Sequence, residues 1–129
     1  VHDAARPLTP PQVTERVIDA VAGGAGAVIP VLPVTDTLKT VDAAGLVVGT
    51  PRRSDMVAVQ TPQGFRWDVL IRAHEEGASL GADEARAATD DAGLVEAIGG
   101  TVHTVAGDER SMKVTRPLDL ALAQILVAE

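Results

Sequence analysis

Residues 1–7, with the sequence VHDAARP, decide how the rest of the chain is organised. The first residue is typical of the end of a strand, and Pro7 and Pro10 keep a helix from starting between them. Asp3 and Arg6 are therefore predicted to lie in a tight loop just past the carboxyl end of a strand, where open α/β sheets bind their ligands. A carboxylate and a guanidinium at this spacing can hold a metal–phosphate pair. A surface salt bridge beside a turn has the same pattern.

Composition restricts the class of protein. The chain has 129 residues, enough for one domain, and 46% of them are hydrophobic with only one Trp, one Phe and no Tyr. Aliphatic side chains must therefore fill the core, as is typical of parallel sheets. A net charge of −7 without a basic stripe argues against a nucleic-acid partner. The sequence contains no cysteine, no signal peptide and no membrane-spanning apolar run, so a cytoplasmic protein without membrane contact is expected.

Helix and strand signals alternate along the chain. Three strands are predicted at residues 27–32, 56–60 and 101–105. Four helices are predicted: from Thr9 to the glycines at 23–24, over residues 68–76, from Thr89 to the glycines at 99–100, and from residue 118 with an apolar face for the core. Residues 77–88 are predicted to be a surface loop. This alternation favours an α/β fold with a mainly parallel sheet.

A hairpin is predicted between the first two of these strands, with β-prone residues 37–41 and 46–50 on either side of a turn. An isolated hairpin is marginal in water, and Leu38, Val41, Leu46 and Val48 would be exposed if it projected alone. It therefore needs a surface to pack on, either a second subunit or its own domain.

Four stretches, in this order, resemble the 2-C-methyl-D-erythritol 4-phosphate cytidylyltransferase family: VHDAARP at 1–7, PVTDTLK at 33–39, QTPQGF at 60–65 and KVTRPLDL at 113–120. Members begin with a glycine-rich loop that holds the CTP triphosphate, and nothing here matches that loop. The resemblance implies a Rossmann-like nucleotidyltransferase fold with its N-terminal strands missing. Residues 1–129 would be the C-terminal part of one domain, and residues 34–54 a projecting dimerisation arm.

The resemblance also implies an activity. Members transfer a cytidylyl group from CTP to 2-C-methyl-D-erythritol 4-phosphate, giving CDP-methylerythritol and pyrophosphate for isoprenoid precursors. They use Mg²⁺ and act as homodimers. This fragment alone is expected to be inactive. Two alternatives stay open: a cytidylyltransferase for another sugar-alcohol phosphate, such as ribitol 5-phosphate, and a non-catalytic dimerisation module.

Two cations are expected to be catalytic. The family has a phosphate-positioning arginine eight residues before its motif threonine, and Arg53 stands at this spacing from Thr61. Lys113 corresponds to a second phosphate-positioning residue and lies beside a helix start, a suitable place for an anion. By themselves, Arg53 could be half of an exposed basic pair and Lys113 a solvated lysine at a sheet edge.

The resemblance further implies a set of substrate contacts. In it, Asp3 faces the metal and the nucleotide, Arg6 and Thr61 bind the sugar phosphate, and Thr37 arrives on the arm of the partner subunit. Thr89 matches a threonine near the substrate, although it is also a candidate helix cap. The three histidines lack metal-ligand spacing, so no zinc site is expected.

Overall fold

The computed structural model describes residues 1–79 and 88–128. The helices are α1 (Pro11–Ala22), α2 (Trp67–Ser79), α3 (Asp91–Ala97) and α4 (Pro117–Val127). The strands are β1 (Ala27–Pro33), β2 (Thr40–Val41), β3 (Val47–Gly49), β4 (Val57–Val59), β5 (Gly64–Phe65) and β6 (His103–Ala106). The predicted α/β class is confirmed. Of the loop expected at 77–88, the first three residues belong to α2 and residues 80–87 lie outside the described part.

The main sheet is built around β1. The expected parallel pairing is present between β1 and β6, from Val28 with His103 to Val31 with Ala106. β4 and β5 pair with successive parts of β1 in the antiparallel direction, so the sheet is mixed. The antiparallel strands follow from connectivity, because the chain leaves β1 through a hairpin and turns back, whereas the connection that leads to β6 includes helices α2 and α3.

Pro30 and Pro33 limit backbone pairing and predict that β1 is an edge strand or carries a bulge. It is instead paired along both sides, with β6 on one side and β4 and β5 on the other. The Pro30 carbonyl accepts a hydrogen bond from the Gln60 N–H at 2.8 Å, so the missing Pro30 N–H faces the same side. There the partner strand is interrupted by residues 60–63 between β4 and β5. A central proline is tolerated because no strand residue needs its N–H.

Small aliphatic side chains form the core. Ala27, Ala73 and Val95 form a buried cluster against which Phe65 and Val69 pack. α1 contributes Val13 and Val17, both buried. Gly64 lies so close to Val17 that a Cβ at this position would clash with the valine side chain.

The last helix differs from expectation. Its predicted core face is exposed: Leu118, Leu122 and Ile125 have 73%, 46% and 61% of their surface accessible. The buried residues of α4 are Asp119 and Ala123. The helix is apolar nearly all round, so the pattern of apolar residues could not indicate which side would pack.

The predicted hairpin is present as a two-stranded sheet of its own, made of β2 and β3. Its turn is closed by Asp42, whose carboxylate accepts hydrogen bonds from the N–H groups of Ala44 and Leu46, and by Gly45 at a φ of +81°. Leu46 and Val48 are each 65% exposed. None of the helices in the described residues is long and apolar enough to cross a membrane.

Candidate functional site

The loop of residues 1–7 is anchored at both ends. Val1 and Gln63 exchange two backbone hydrogen bonds, of 2.7 and 2.8 Å, as neighbouring strands do. The Arg6 N–H donates to the Asp3 carbonyl at 3.0 Å and closes the turn. The predicted tight loop is confirmed, and it holds the Asp3 and Arg6 side chains on one side.

The motif at 60–65 lies directly beside this loop. Gln60 is buried and its amide exchanges hydrogen bonds with the backbone of Asp108, at 2.9 and 3.0 Å. Gln63 is also buried; its amide donates to the Asp90 carboxylate at 2.8 Å and accepts from the Ala92 N–H. The two glutamines therefore fasten the segment to the loop after β6 and to the start of α3. Between them, Thr61 is held at the surface of a cleft.

This cleft, of about 270 Å³, brings five of the predicted site residues together: Asp3, Arg6, Thr61, Thr89 and Lys113 all line it. They come from the first loop, the segment between β4 and β5, the start of α3 and the segment before α4. The structure thus places these five residues around one cleft. Their roles toward a ligand stay predictions.

Asp3 is the electrostatic centre of the cleft. Its Oδ2 lies 3.2 Å from the Lys113 Nζ and 3.4 Å from the Arg6 Nε. Burial opposes its ionisation, but the hydrogen bonds and charges of Lys113 and Arg6 outweigh that effect and lower the pKa of Asp3. The carboxylate is therefore ionised at neutral pH and holds two cations side by side. The two cations can bind a further anion, while the second carboxylate of the cleft, Asp90, is occupied by hydrogen bonds from Gln63 and Gly93.

Arg6 is the more firmly fixed of the two cations. Its side chain is only 12% exposed, and its Nη1 donates to the Ser111 carbonyl at 2.6 Å. Ser111 is buried, and its hydroxyl has no hydrogen-bond partner within the described residues. The backbone carbonyl, which does not depend on the side chain, makes the contact with Arg6.

Lys113 is positioned by the segment that follows it. The Val114 N–H donates to the Ala5 carbonyl at 2.8 Å, which ties this segment to the first loop. Asp119 then caps α4: it accepts hydrogen bonds from the N–H groups of Thr115 and Arg116. The Arg116 guanidinium and these N–H groups hold the pKa of Asp119 well below its usual range. Sequence reasoning missed this residue, although the spacing of Arg116 and Asp119 is that of a capping box.

Arg53 and Thr37 lie outside the cleft of their own chain. Arg53 lines a separate depression of about 530 Å³ together with Val31 and Met56, and its Nη1 donates to the Thr35 carbonyl at 2.9 Å. Thr37 is exposed at the base of the hairpin. One copy of the chain therefore does not gather all seven predicted residues.

Two residues of the cleft, Gln63 and Asp90, and one beside it, His2, were assigned no part in the site from the sequence. His2 contacts Thr61, and the Gln63 side chain donates to the Asp90 carboxylate. Asp90, rather than Thr89, is the N-cap of α3, and its Oδ1 accepts a hydrogen bond from the Gly93 N–H at 2.7 Å. Thr89, relieved of capping, is exposed at the cleft. The sequence signal for this N-cap is the spacing of Asp90 and Gly93, because an N-cap side chain accepts a hydrogen bond from the N–H two or three residues later.

The donor set for a metal is small. Within residues 1–79 and 88–128, no three His, Cys, Asp or Glu side chains are grouped so that they could hold an ion. Both oxygens of Asp90 already accept hydrogen bonds, which leaves Asp3 as the available carboxylate of the cleft. A single carboxylate fits Mg²⁺ bound mainly through substrate phosphates and water.

A mixed α/β sheet with two cations and two threonine hydroxyls around a strand-end cleft defines a protein suited to phosphorylated ligands. Residues 1–129 match the family model described as IspD, 2-C-methyl-D-erythritol 4-phosphate cytidylyltransferase. The chain belongs to this family.

Individual relatives agree. The chain is 54% identical over 129 residues to a 2-C-methyl-D-erythritol 4-phosphate cytidylyltransferase of Rhodococcus jostii, covering all of this chain and 54% of the relative. It is 57% identical over 128 residues to the protein of that name from Frankia casuarinae, covering 99% of this chain and 46% of the relative. The chain therefore spans about half the length of the curated relatives it matches.

Solved structures give the same fold. The crystal structure of the Thermus thermophilus 2-C-methyl-D-erythritol 4-phosphate cytidylyltransferase superimposes with a TM-score of 0.84 at 40% identity, covering all of this chain and 61% of that one. The 4-diphosphocytidyl-2C-methyl-D-erythritol synthase of Anaerococcus prevotii gives a TM-score of 0.86 at 27% identity, covering 99% and 57%. The predicted nucleotidyltransferase fold is confirmed.

Proposed function

We propose that the full-length protein transfers a cytidylyl group from CTP to 2-C-methyl-D-erythritol 4-phosphate. The observation that carries this proposal is the joint presence of Asp3, Arg6, Thr61, Thr89 and Lys113 around one cleft. Family membership supports the choice of nucleotide and sugar phosphate. In the reaction, a phosphate oxygen of the sugar phosphate bonds to the α-phosphorus of CTP, and the bond from that phosphorus to the β-phosphate oxygen breaks. Pyrophosphate leaves with the electron pair.

The chemistry needs charge neutralisation more than a base. A phosphate monoester is already anionic at neutral pH, so its oxygen attacks without losing a proton to the protein. The obstacle is the repulsion between two anions. Arg6 and Lys113 both pair with Asp3 and supply positive charge where the sugar phosphate would bind, which would lower that repulsion and orient the nucleophile.

Each cleft residue then has a distinct contact. The guanidinium of Arg6 can bind two phosphate oxygens at once, because only its Nε and Nη1 make hydrogen bonds within the described residues. Lys113 is half-exposed and can move from Asp3 to the phosphate. Thr61 and Thr89 offer hydroxyls at the rim.

Asp3 is the residue that would hold Mg²⁺, with the nucleotide phosphates as the other ligands. Bound there, the cation would neutralise charge on the triphosphate. Asp3 also holds Arg6 and Lys113 next to each other, because both pair with its Oδ2.

We further propose that the hairpin of residues 34–54 is a dimerisation arm that carries Arg53 and Thr37 to the cleft of a second subunit. Neither residue lines the cleft of its own chain, although both are exposed. The arm also presents Leu46 and Val48 to solvent, each 65% exposed, and a partner would cover them. A twofold axis would place each arm on the other subunit in the same way.

The test uses purified full-length protein with CTP, Mg²⁺ and either 2-C-methyl-D-erythritol 4-phosphate or ribitol 5-phosphate. Pyrophosphate release and the CDP-alcohol product are measured for both acceptors. We expect the methylerythritol phosphate to give the larger kcat/KM. A preference for ribitol 5-phosphate would replace the acceptor in this proposal. Absence of turnover with both, while the protein still dimerises, would favour a non-catalytic dimerisation module.

A further inference from the structure

Among the described residues, the Thr61 hydroxyl has hydrogen-bond contacts with Asp3 and His2. The Asp3 N–H donates to its Oγ1 at 3.0 Å. The Nδ1 of the exposed His2 ring lies 2.8 Å from the same oxygen, a hydrogen-bond distance in either direction. Thr61 also lines the 270 Å³ cleft. The hydroxyl therefore contacts the loop of residues 1–7 and lies at the cleft where a ligand would bind.

The His2 ring determines in which direction the Thr61 hydroxyl donates its hydrogen. A hydroxyl has one hydrogen to donate and two positions at which it accepts. The Asp3 N–H already occupies one accepting position. If the His2 Nδ1 carries a hydrogen and donates, both accepting positions are filled and the Thr61 hydrogen is left to point into the cleft. If Nδ1 is bare, it accepts the Thr61 hydrogen, and the cleft faces only an oxygen lone pair.

These two states differ in their attraction for an anion. A hydroxyl that donates stabilises a phosphate oxygen, because a hydrogen bond to a charged group is stronger than one between neutral groups. A hydroxyl that presents a lone pair repels the same oxygen. The state of one ring nitrogen therefore decides whether Thr61 helps or opposes binding of the sugar phosphate.

We propose that His2 is a positioning residue that donates from Nδ1 to the Thr61 Oγ1 and so turns the Thr61 hydroxyl toward the phosphate of the acceptor. This inference rests on the proposed function. His2 itself is not among the residues that line the cleft, so it acts through Thr61 rather than on the substrate.

A spectroscopic measurement tests the first half of the proposal. In ¹⁵N-labelled full-length protein, the imidazole nitrogen shifts and their couplings to ring hydrogens distinguish a protonated Nδ1 from a bare one. We expect His2 to be protonated at Nδ1. A His2 ring protonated at Nε2 alone would overturn the proposal, whatever the activity of the protein.

Kinetics test the second half. His2→Ala should lower kcat/KM for the sugar phosphate about tenfold, mostly through KM, while the KM for CTP stays within about twofold. His2→Asn can still donate an N–H to Thr61 and should recover most of the loss. His103→Ala, which removes an exposed histidine from β6, is the matched control and should behave as wild type.

A double-mutant cycle separates action through Thr61 from a general effect on the loop. In a Thr61→Val background, where no hydroxyl remains to be turned, His2→Ala should have no further effect. A tenfold loss that persists in this background would overturn the proposal. Because every comparison starts from an active wild-type protein, failure of the proposed function would appear earlier, as a wild type without turnover.

Discussion

The ammonium of Lys113 lies 3.2 Å from the carboxylate of Asp3, although one residue comes near the end of the chain and the other near its beginning. Both side chains are substantially exposed, 48% and 37%, so water screens the pair and its contribution to stability is small. The pairing places a cation beside a second one, Arg6, at the mouth of a cleft. The pair of Lys113 and Asp3 is therefore expected to matter for ligand binding more than for stability.

Removing Lys113 should raise the pKa of Asp3. Burial already favours the neutral acid, and the charges of Lys113 and Arg6 reverse that effect. In Lys113→Ala the desolvation persists while one cation is lost, so the Asp3 carboxyl should titrate at higher pH than in wild type. Carboxyl ¹³C shifts followed against pH give the measurement. Lys39 donates a hydrogen bond to Thr50 in the hairpin, so Lys39→Ala serves as the control and should leave the titration of Asp3 unchanged.

Loss of either proposed catalytic cation should slow turnover. In full-length protein, Lys113→Ala and Arg53→Ala should each lower kcat/KM by roughly a hundredfold, the cost of removing one preorganised charge from a developing anionic centre. Arg72→Ala on the exposed side of α2 serves as the control and should keep wild-type rates. Wild-type kinetics in either cation variant would remove that residue from the mechanism.

Mixing the two inactive variants tests the exchange of Arg53 between subunits. If Arg53 acts on the partner's cleft and Lys113 on its own, random reassortment of the two variants restores one intact site in each heterodimer, and roughly a quarter of wild-type activity should return. The activity of the mixture is followed after a subunit-exchange step. A mixture no more active than its components would mean that both cations serve the same chain's cleft.

The hairpin's exposed apolar side chains should be needed for dimerisation. In a single copy, Leu38 is 39% exposed and Val48 is 65% exposed, so the monomer should still fold with Asp at both positions. If a partner subunit buries these positions, Leu38→Asp combined with Val48→Asp should prevent dimerisation, because two unpaired charges would be buried. Light scattering should show a monomer. Arg72→Asp on the exposed side of α2 changes the net charge by the same two units and controls for added negative charge. An unchanged dimer mass in the hairpin variant would count against the arm.

Asp119 should stabilise the segment that carries Lys113. Its folded-state pKa lies below the usual value of 3.8, so its contribution to stability is complete above that value and is lost as pH falls toward the folded pKa. Asp119→Asn should therefore lower the midpoint of thermal unfolding at pH 7, and the difference from wild type should shrink at the acid end. Asp68→Asn, at an exposed pair with Arg66, should change the midpoint less.

Local signals were sufficient for most of the secondary structure. The positions of α1, β1 and the hairpin turn follow from proline, glycine and aspartate residues whose preferences act within a few residues, and the structure confirms them. The last helix shows where such signals end. Its apolar residues occur on every side, and the sequence could not indicate that Leu118 and Ile125 would be exposed while Asp119 would be buried.

By itself, the sequence determined the order of helices and strands, the loop holding Asp3 and Arg6, and the motifs that place the chain in its family. Only the tertiary structure decided that Lys113 pairs with Asp3, that His2 reaches Thr61, and that Arg53 lies outside its own cleft. The physical reason is range. Turn and helix preferences act between neighbours, whereas contacts across the cleft exist only after β1 has brought distant segments together.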